Sequence, residues 1–161
     1  MKSTIVVFGS STGTCENIAN TIAEKLGVEA INVTDFSADT IANHDNLILG
    51  TSTWGAGELQ DDWYDGVNVL KDADLSGKTV AIFGCGDSES YSDTFCAAMK
   101  EIYDAAEGAN IIGSISTDGY TFDDSDAVVD GKFIGLPLDD VNEDDKTEGR
   151  IDAWLDSIKG S

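Results

Sequence analysis

The chain has 161 residues, with 31 aspartates and glutamates against 9 lysines and arginines, for a net charge of −22. That excess of acid excludes coating a phosphate backbone, which requires Lys and Arg to displace counterions, and argues equally against docking on an anionic membrane. The 41% hydrophobic content, with 3 Trp, 4 Tyr and 6 Phe, suffices for a core, and the length suits one domain over 1–161.

After Lys2 the apolar run Ile5–Val6–Val7–Phe8 ends at Gly9, too short for a signal-peptide core or a bilayer span, so no targeting segment is expected. Ser3–Phe8 reads as a first strand, apolar enough to be buried on both faces. Thr14–Leu26 follows with Ile18, Ala19, Ile22, Ala23 and Leu26 at helical spacing, and Gly27 stops it. Val28–Val33 is a weaker second strand, and Leu47–Gly50 a third, reached through a loop holding the short run Thr40–Ala42. Trp63, Val67 and Leu70 mark a helix whose acidic start, Asp61 and Asp62, complements its dipole. Thr79–Phe83 is the fourth strand, Ser92–Ala106 a helix, Ile111–Ile115 the fifth strand, and Ile151, Trp154, Leu155 and Ile158 line a closing helix.

Strands alternating with helices predict an α/β three-layer sandwich, a five-stranded parallel sheet covered by helices on both faces. The acidic stretch Asp118–Val141 breaks the rhythm and reads as an insertion in or after the fifth strand; it holds the apolar run Phe133–Leu138 and the single proline, Pro137. Cys15, Cys85 and Cys96 form no CxxC pair, and with His44 the lone histidine no metal site is expected. Free thiols point to a reducing, cytoplasmic setting.

In an open parallel sheet, ligands bind beyond the carboxyl ends of the strands. After strand one stands Gly9-Ser10-Ser11-Thr12-Gly13-Thr14-Cys15, running straight into a helix. Hydroxyls and glycines before a helix N-terminus suit a phosphate, although the loop is neither a Walker sequence nor GxGxxG. A capped helix start needs only one such hydroxyl, so both readings stand at this point. After strand three comes Thr51-Ser52-Thr53-Trp54-Gly55-Ala56-Gly57-Glu58, and after strand four Gly84-Cys85-Gly86-Asp87-Ser88-Glu89-Ser90-Tyr91. Each offers an aromatic among small residues, suited to covering a flat ring or a neighbouring loop. Trp63 and Trp154, at helical spacing among apolar residues, read as core.

Taken together, the three loops resemble those of the flavodoxins, small FMN-containing electron carriers. The tail Asp118-Gly119-Tyr120 through Gly131-Lys132-Phe133-Ile134-Gly135-Leu136 resembles the insertion that marks the long-chain members. The resemblance, rather than the spacing, implies the strand order 2-1-3-4-5, for which flavodoxin is itself a standard example. It implies further that Ser10, Ser11, Thr12, Gly13, Thr14 and Cys15 hold the FMN phosphate. Trp54 and Tyr91 would stack on the two faces of the ring, and Gly86, Asp87 and the adjacent backbone would bind its pyrimidine edge. Ser52, Thr53, Cys85 and Asp93 complete the implied cofactor set. The family usually closes its phosphate loop with Thr where this chain has Cys15, and a thiol is a weak donor. In the family a peptide beside the flavin flips on reduction; here it would be Gly55–Ala56, where glycine tolerates the turn.

The function so implied is that of a low-potential one-electron carrier, not an enzyme. It would shuttle FMN between semiquinone and hydroquinone and meet basic redox proteins (a reductase and acceptor enzymes) in transient complexes, as a monomer. The competing reading is an FMN-dependent quinone or nitro reductase of the same fold. A response-regulator receiver lacks its acidic residues here, and a low-molecular-weight phosphatase lacks its arginine, since the only one is Arg150. A serine hydrolase would rest on His44, far from any nucleophile elbow. The acid is unevenly spread: residues 61–161 hold 24 of the 31 acids and 7 of the 9 bases. That distribution suits steering toward basic partners and disfavouring a reduced, anionic flavin, or adaptation to a saline host.

Overall fold

The computed structural model describes residues 4–9, 14–54, 58–59, 63–72, 75, 77–85, 99–106, 108–112, 115–116, 128–129, 132–138 and 144–159. The first strand, β1 (Thr4–Gly9), feeds helix α1 (Thr14–Leu26), then β2 (Glu29–Asn32), a 3-10 turn at Val33–Asp35, α2 (Ala38–Asn43) and β3 (Asn46–Trp54). Next come β4 (Glu58–Leu59), α3 (Trp63–Asp72), β5 (Thr79–Cys85), α4 (Met99–Ala105) and β6 (Asn110–Ile112). The chain ends with β7 (Ile115–Ser116), β8 (Val128–Val129), β9 (Lys132–Phe133), β10 (Leu136–Leu138) and α5 (Asp144–Lys159).

The main sheet runs β2-β1-β3-β5-β10, all parallel, with β6 also paired to β5. Its fifth position is shared by two short strands laid end to end. Thr79, Val80 and Ala81 of β5 pair with β6, whereas Phe83, Gly84 and Cys85 pair with β10. The strand order is therefore the expected 2-1-3-4-5, with the fifth strand split.

Three details differ from the sequence reading. Ile115 does not continue the fifth strand but pairs with Phe133 in a separate antiparallel sheet, β7-β9-β8. Leu136–Leu138, read as part of the insertion, returns to the main sheet; Pro137 is tolerated because β10 lies at an edge, where a missing N–H need not break a ladder. The stretch Thr40–Ala42 belongs to helix α2 instead of a loop, with Ile41 buried. The Ser92–Ala106 helix is seen as α4 from Met99 onward, and its earlier part lies outside the described residues.

Side chains alternate across the sheet with the period of two that a strand imposes. Ile5, Val7, Leu47, Leu49, Val80 and Ile82 face Trp63, Val67 and Leu70 of α3 and Ile102 of α4. Val6, Phe8, Ile48, Ala81 and Phe83 face Ile18 and Ile22 of α1 and Ile151, Trp154 and Leu155 of α5. Val6 and Val7 are both completely buried, so β1 contributes a core on each face. Burial of one such side chain contributes roughly 1.5–3 kcal/mol. Trp63 and Trp154 are core residues, one on each side of the sheet.

Helix α1 ends where Gly27 takes φ 70°. The Gly27 N–H donates to the Glu24 carbonyl and the Val28 N–H to the Ala23 carbonyl, a Schellman ending that requires the left-handed conformation. The return to β10 depends on a different property of glycine. A β-carbon at Gly135 would strike the Ile82 carbonyl, so only glycine lets the backbone pass this close to β5.

Candidate functional site

Register brings the carboxyl ends of the central strands level. Gly9 of β1 pairs with Thr51 of β3, Thr51 with Gly84 of β5, Ser52 with Cys85, and Cys85 with Leu138 of β10. The positions after β1, β3 and β5 therefore share one edge of the sheet, at the switch where the chain order reverses between β1 and β3. Helix α1 begins at Thr14, so its amino end follows Gly9 closely along the chain. The first amides of a helix lack partners within it and form a ready anion site, aided by the dipole.

Of the residues singled out in the sequence, Thr14 and Cys15 open α1, Ser52, Thr53 and Trp54 close β3, and Cys85 ends β5. Ser10, Ser11, Thr12, Gly13, Gly55, Ala56, Gly86, Asp87, Tyr91 and Asp93 lie outside the described residues. The loop expected after Gly50 is still strand as far as Trp54. Thr53 and Trp54 pair antiparallel with Leu59 and Glu58 of β4.

Two residues that the sequence reading passed over support this edge. Thr51 is completely buried, the one polar side chain so enclosed among the described residues. Trp63, read only as core, donates its indole N–H to the Gly50 carbonyl at 2.6 Å. The available signal was chemical: a buried tryptophan carries an N–H that needs an acceptor.

His44 stands at the other end of the sheet. It caps α2 two residues before β3 begins, with Nδ1 2.8 Å from the Thr40 carbonyl. Lys78 donates to the His44 carbonyl at 2.9 Å, tying this amino edge to the start of β5. With a single histidine in the chain, imidazole chemistry is absent from the carboxyl edge. No group of three or more potential metal ligands occurs among the described residues, and none of their helices is long and apolar enough to cross a membrane.

A family model described as Flavodoxin matches residues 6–154. The chain is 43% identical over 159 residues to Flavodoxin 1 of Azotobacter vinelandii, covering 93% of this chain and 91% of that protein. It is 39% identical over 157 residues to a flavodoxin of Helicobacter pylori, covering 97% and 96%. It is similar to the crystal structure of Fusobacterium nucleatum flavodoxin bound to flavin mononucleotide, with a TM-score of 0.92, 32% identity and coverage of 99% of this chain and 98% of that one.

Proposed function

The chain belongs to the flavodoxin family, and from that membership we propose that it carries single electrons on non-covalently bound FMN, at low potential, between partner redox proteins. It is an electron-transfer protein rather than an enzyme. The observation that carries the reading is the register that sets Gly9, Thr51 and Gly84 side by side at the switch point, with the amino end of α1 close behind Gly9.

The residues present fit the group. The run Ser10–Cys15 supplies hydroxyls, glycine and helix amides to a phosphate without a basic residue, since the chain has no Lys or Arg between Lys2 and Lys25. Trp54 and Tyr91 supply aromatic faces that cover a flat ring and exclude water. By the family resemblance Ser52, Thr53, Gly55, Ala56, Cys85, Gly86, Asp87 and Asp93 would complete the set around the ring. When bound, FMN supplies one-electron storage; the protein sets the energy of each step through stacking, hydrogen bonds and charge. Glu58, Asp61, Asp62 and Asp87, which neighbour these loops in sequence, make added negative charge costly and favour a low potential.

The acid concentrated in residues 61–161 supports transient, salt-sensitive complexes with basic partners in a reducing, cytoplasmic setting. The test is the visible spectrum of the purified protein during stepwise reduction. Two separated one-electron steps are expected. A protein that takes up no FMN, or one that accepts electron pairs directly from a nicotinamide donor, overturns the proposal.

A further inference from the structure

The segment carrying Ser52, Thr53, Trp54, Gly55 and Ala56 joins the end of β3 to the start of α3 at Trp63. Its base is closed by one hydrogen bond: the Trp63 indole N–H donates to the Gly50 carbonyl at 2.6 Å, in a buried environment. Among the described residues between them, Thr53 and Trp54 pair with Leu59 and Glu58. The outgoing leg is fixed by its neighbours, because Thr51 lies in register with Gly9 and Gly84, and Ser52 with Cys85. The returning leg has no such parallel neighbours among the described residues; it has the two β4 pairs and Trp63.

Trp63 is suited to hold that leg. It is the first residue of α3 and wholly buried, and Val67 and Leu70 root the same helix in the core. Phe36 lies against its ring at 6.1 Å between centroids, tilted by 57°. Gly66 leaves the ring room, since a β-carbon there would meet both Val33 and Trp63. The ring is thus fixed from several sides, and its N–H is aimed at one carbonyl.

We propose that Trp63 is a positioning residue for the cofactor site. Its N–H ties the start of α3 to β3 at Gly50, and so holds in place the strand end that carries Ser52, Thr53 and Trp54. The inference rests on the FMN reading and adds a residue outside the loops that would touch the group. Phenylalanine at this position removes the donor together with some ring volume, so the local pattern of exchange, rather than overall stability, reports the bond.

The experiment compares wild type and Trp63→Phe in three measurements: amide hydrogen exchange of the FMN-free protein, titration of that protein with FMN, and the two one-electron potentials of the loaded protein. Loss of a buried hydrogen bond predicts exchange about tenfold faster across Thr51–Leu59, and FMN binding weaker by about tenfold. Amides of Val6 and Val7 should keep their wild-type rates, and the first potential should move. If Trp63→Phe fails to fold, replacing Trp63 with benzothienylalanine, which exchanges the N–H for sulfur in a ring of similar shape, asks the same question. Wild-type affinity and potentials in the variant overturn the proposal, as does exchange that rises equally throughout the sheet. A wild-type protein that takes up no FMN overturns the proposed function itself, an outcome read from the wild-type titration alone.

Discussion

The ring of Phe83 fills the space beside Gly50 where a β-carbon would stand. The two residues are register partners on β3 and β5, and Phe83 is completely buried. It has no free side to retreat to, because Trp154 meets it edge-on at 6.5 Å. Gly50→Ala should therefore destabilise the protein by roughly 1–3 kcal/mol through overpacking. Urea unfolding measures this directly. The double variant Gly50→Ala/Phe83→Leu should lose less than the two single changes together, because the shorter side chain vacates the contested space; strict additivity would refute the contact.

A stiffer constraint operates at Gly135. There the obstacle to a β-carbon is the Ile82 carbonyl, part of the β5 backbone, which cannot rotate aside as a side chain can. Gly135→Ala should force β10 away from β5 and cost at least about 2 kcal/mol. Amide exchange at Leu136 and Leu138 should accelerate more than at β1. Unchanged exchange at these two residues would show that the split fifth strand has another anchor.

These contacts explain what pattern alone reveals and what it hides. The three inner strands and the helices covering them follow from apolar periodicity, because Val6, Val7, Leu49 and Ile82 are buried whichever loops connect them. The end of β3 is less visible. Thr51-Ser52-Thr53 reads as loop from its polarity, yet strand pairing continues because Cys85 and Leu59 lie opposite, and those partners come later in the sequence. The fifth strand is hidden for a related reason. Its halves, β6 and β10, are separated by more than twenty residues, and Pro137 argues against a strand unless its place at an edge is known. The resemblance assigns the site loops, most of whose residues lie outside the described ones. The Trp63 bond was not, since nothing in spacing tells which carbonyl an indole will find.

Lys25, in the last turn of α1, joins that helix to α5, with Nζ 2.8 Å from Asp152 and 3.6 Å from Glu148. The hydrogen bond that Lys25 donates to Asp152, reinforced by the charges of Asp152 and Glu148, holds its ammonium above the ordinary lysine value of 10.5. A raised folded-state value favours the folded protein wherever the unfolded chain's lysine is also protonated. The contribution is therefore whole below that ordinary value and fades as pH climbs through the higher folded one. Both carboxylates are largely exposed, so salt also weakens it. Lys25→Met should lower the unfolding midpoint slightly at neutral pH. The gap from wild type should narrow as pH rises above about 10. A gap that stays constant across that range would mean that packing of the lysine stem, not its charge, links the helices.

Cys15 offers a test of the proposed phosphate loop that leaves the fold alone. It is the second residue of α1, where the helix amides are unpartnered. Cysteine and threonine have similar helix propensities, so Cys15→Thr should change the stability of the FMN-free protein little. The hydroxyl is a much better donor than the thiol. If Ser10–Cys15 hold the phosphate, the substitution adds or strengthens one hydrogen bond to a charged acceptor, and FMN should bind about threefold to tenfold more tightly. Riboflavin, which has the same ring without the phosphate, should bind wild type and variant alike. An equal gain for riboflavin would locate the effect away from the phosphate, and no gain for either ligand would remove Cys15 from the binding set.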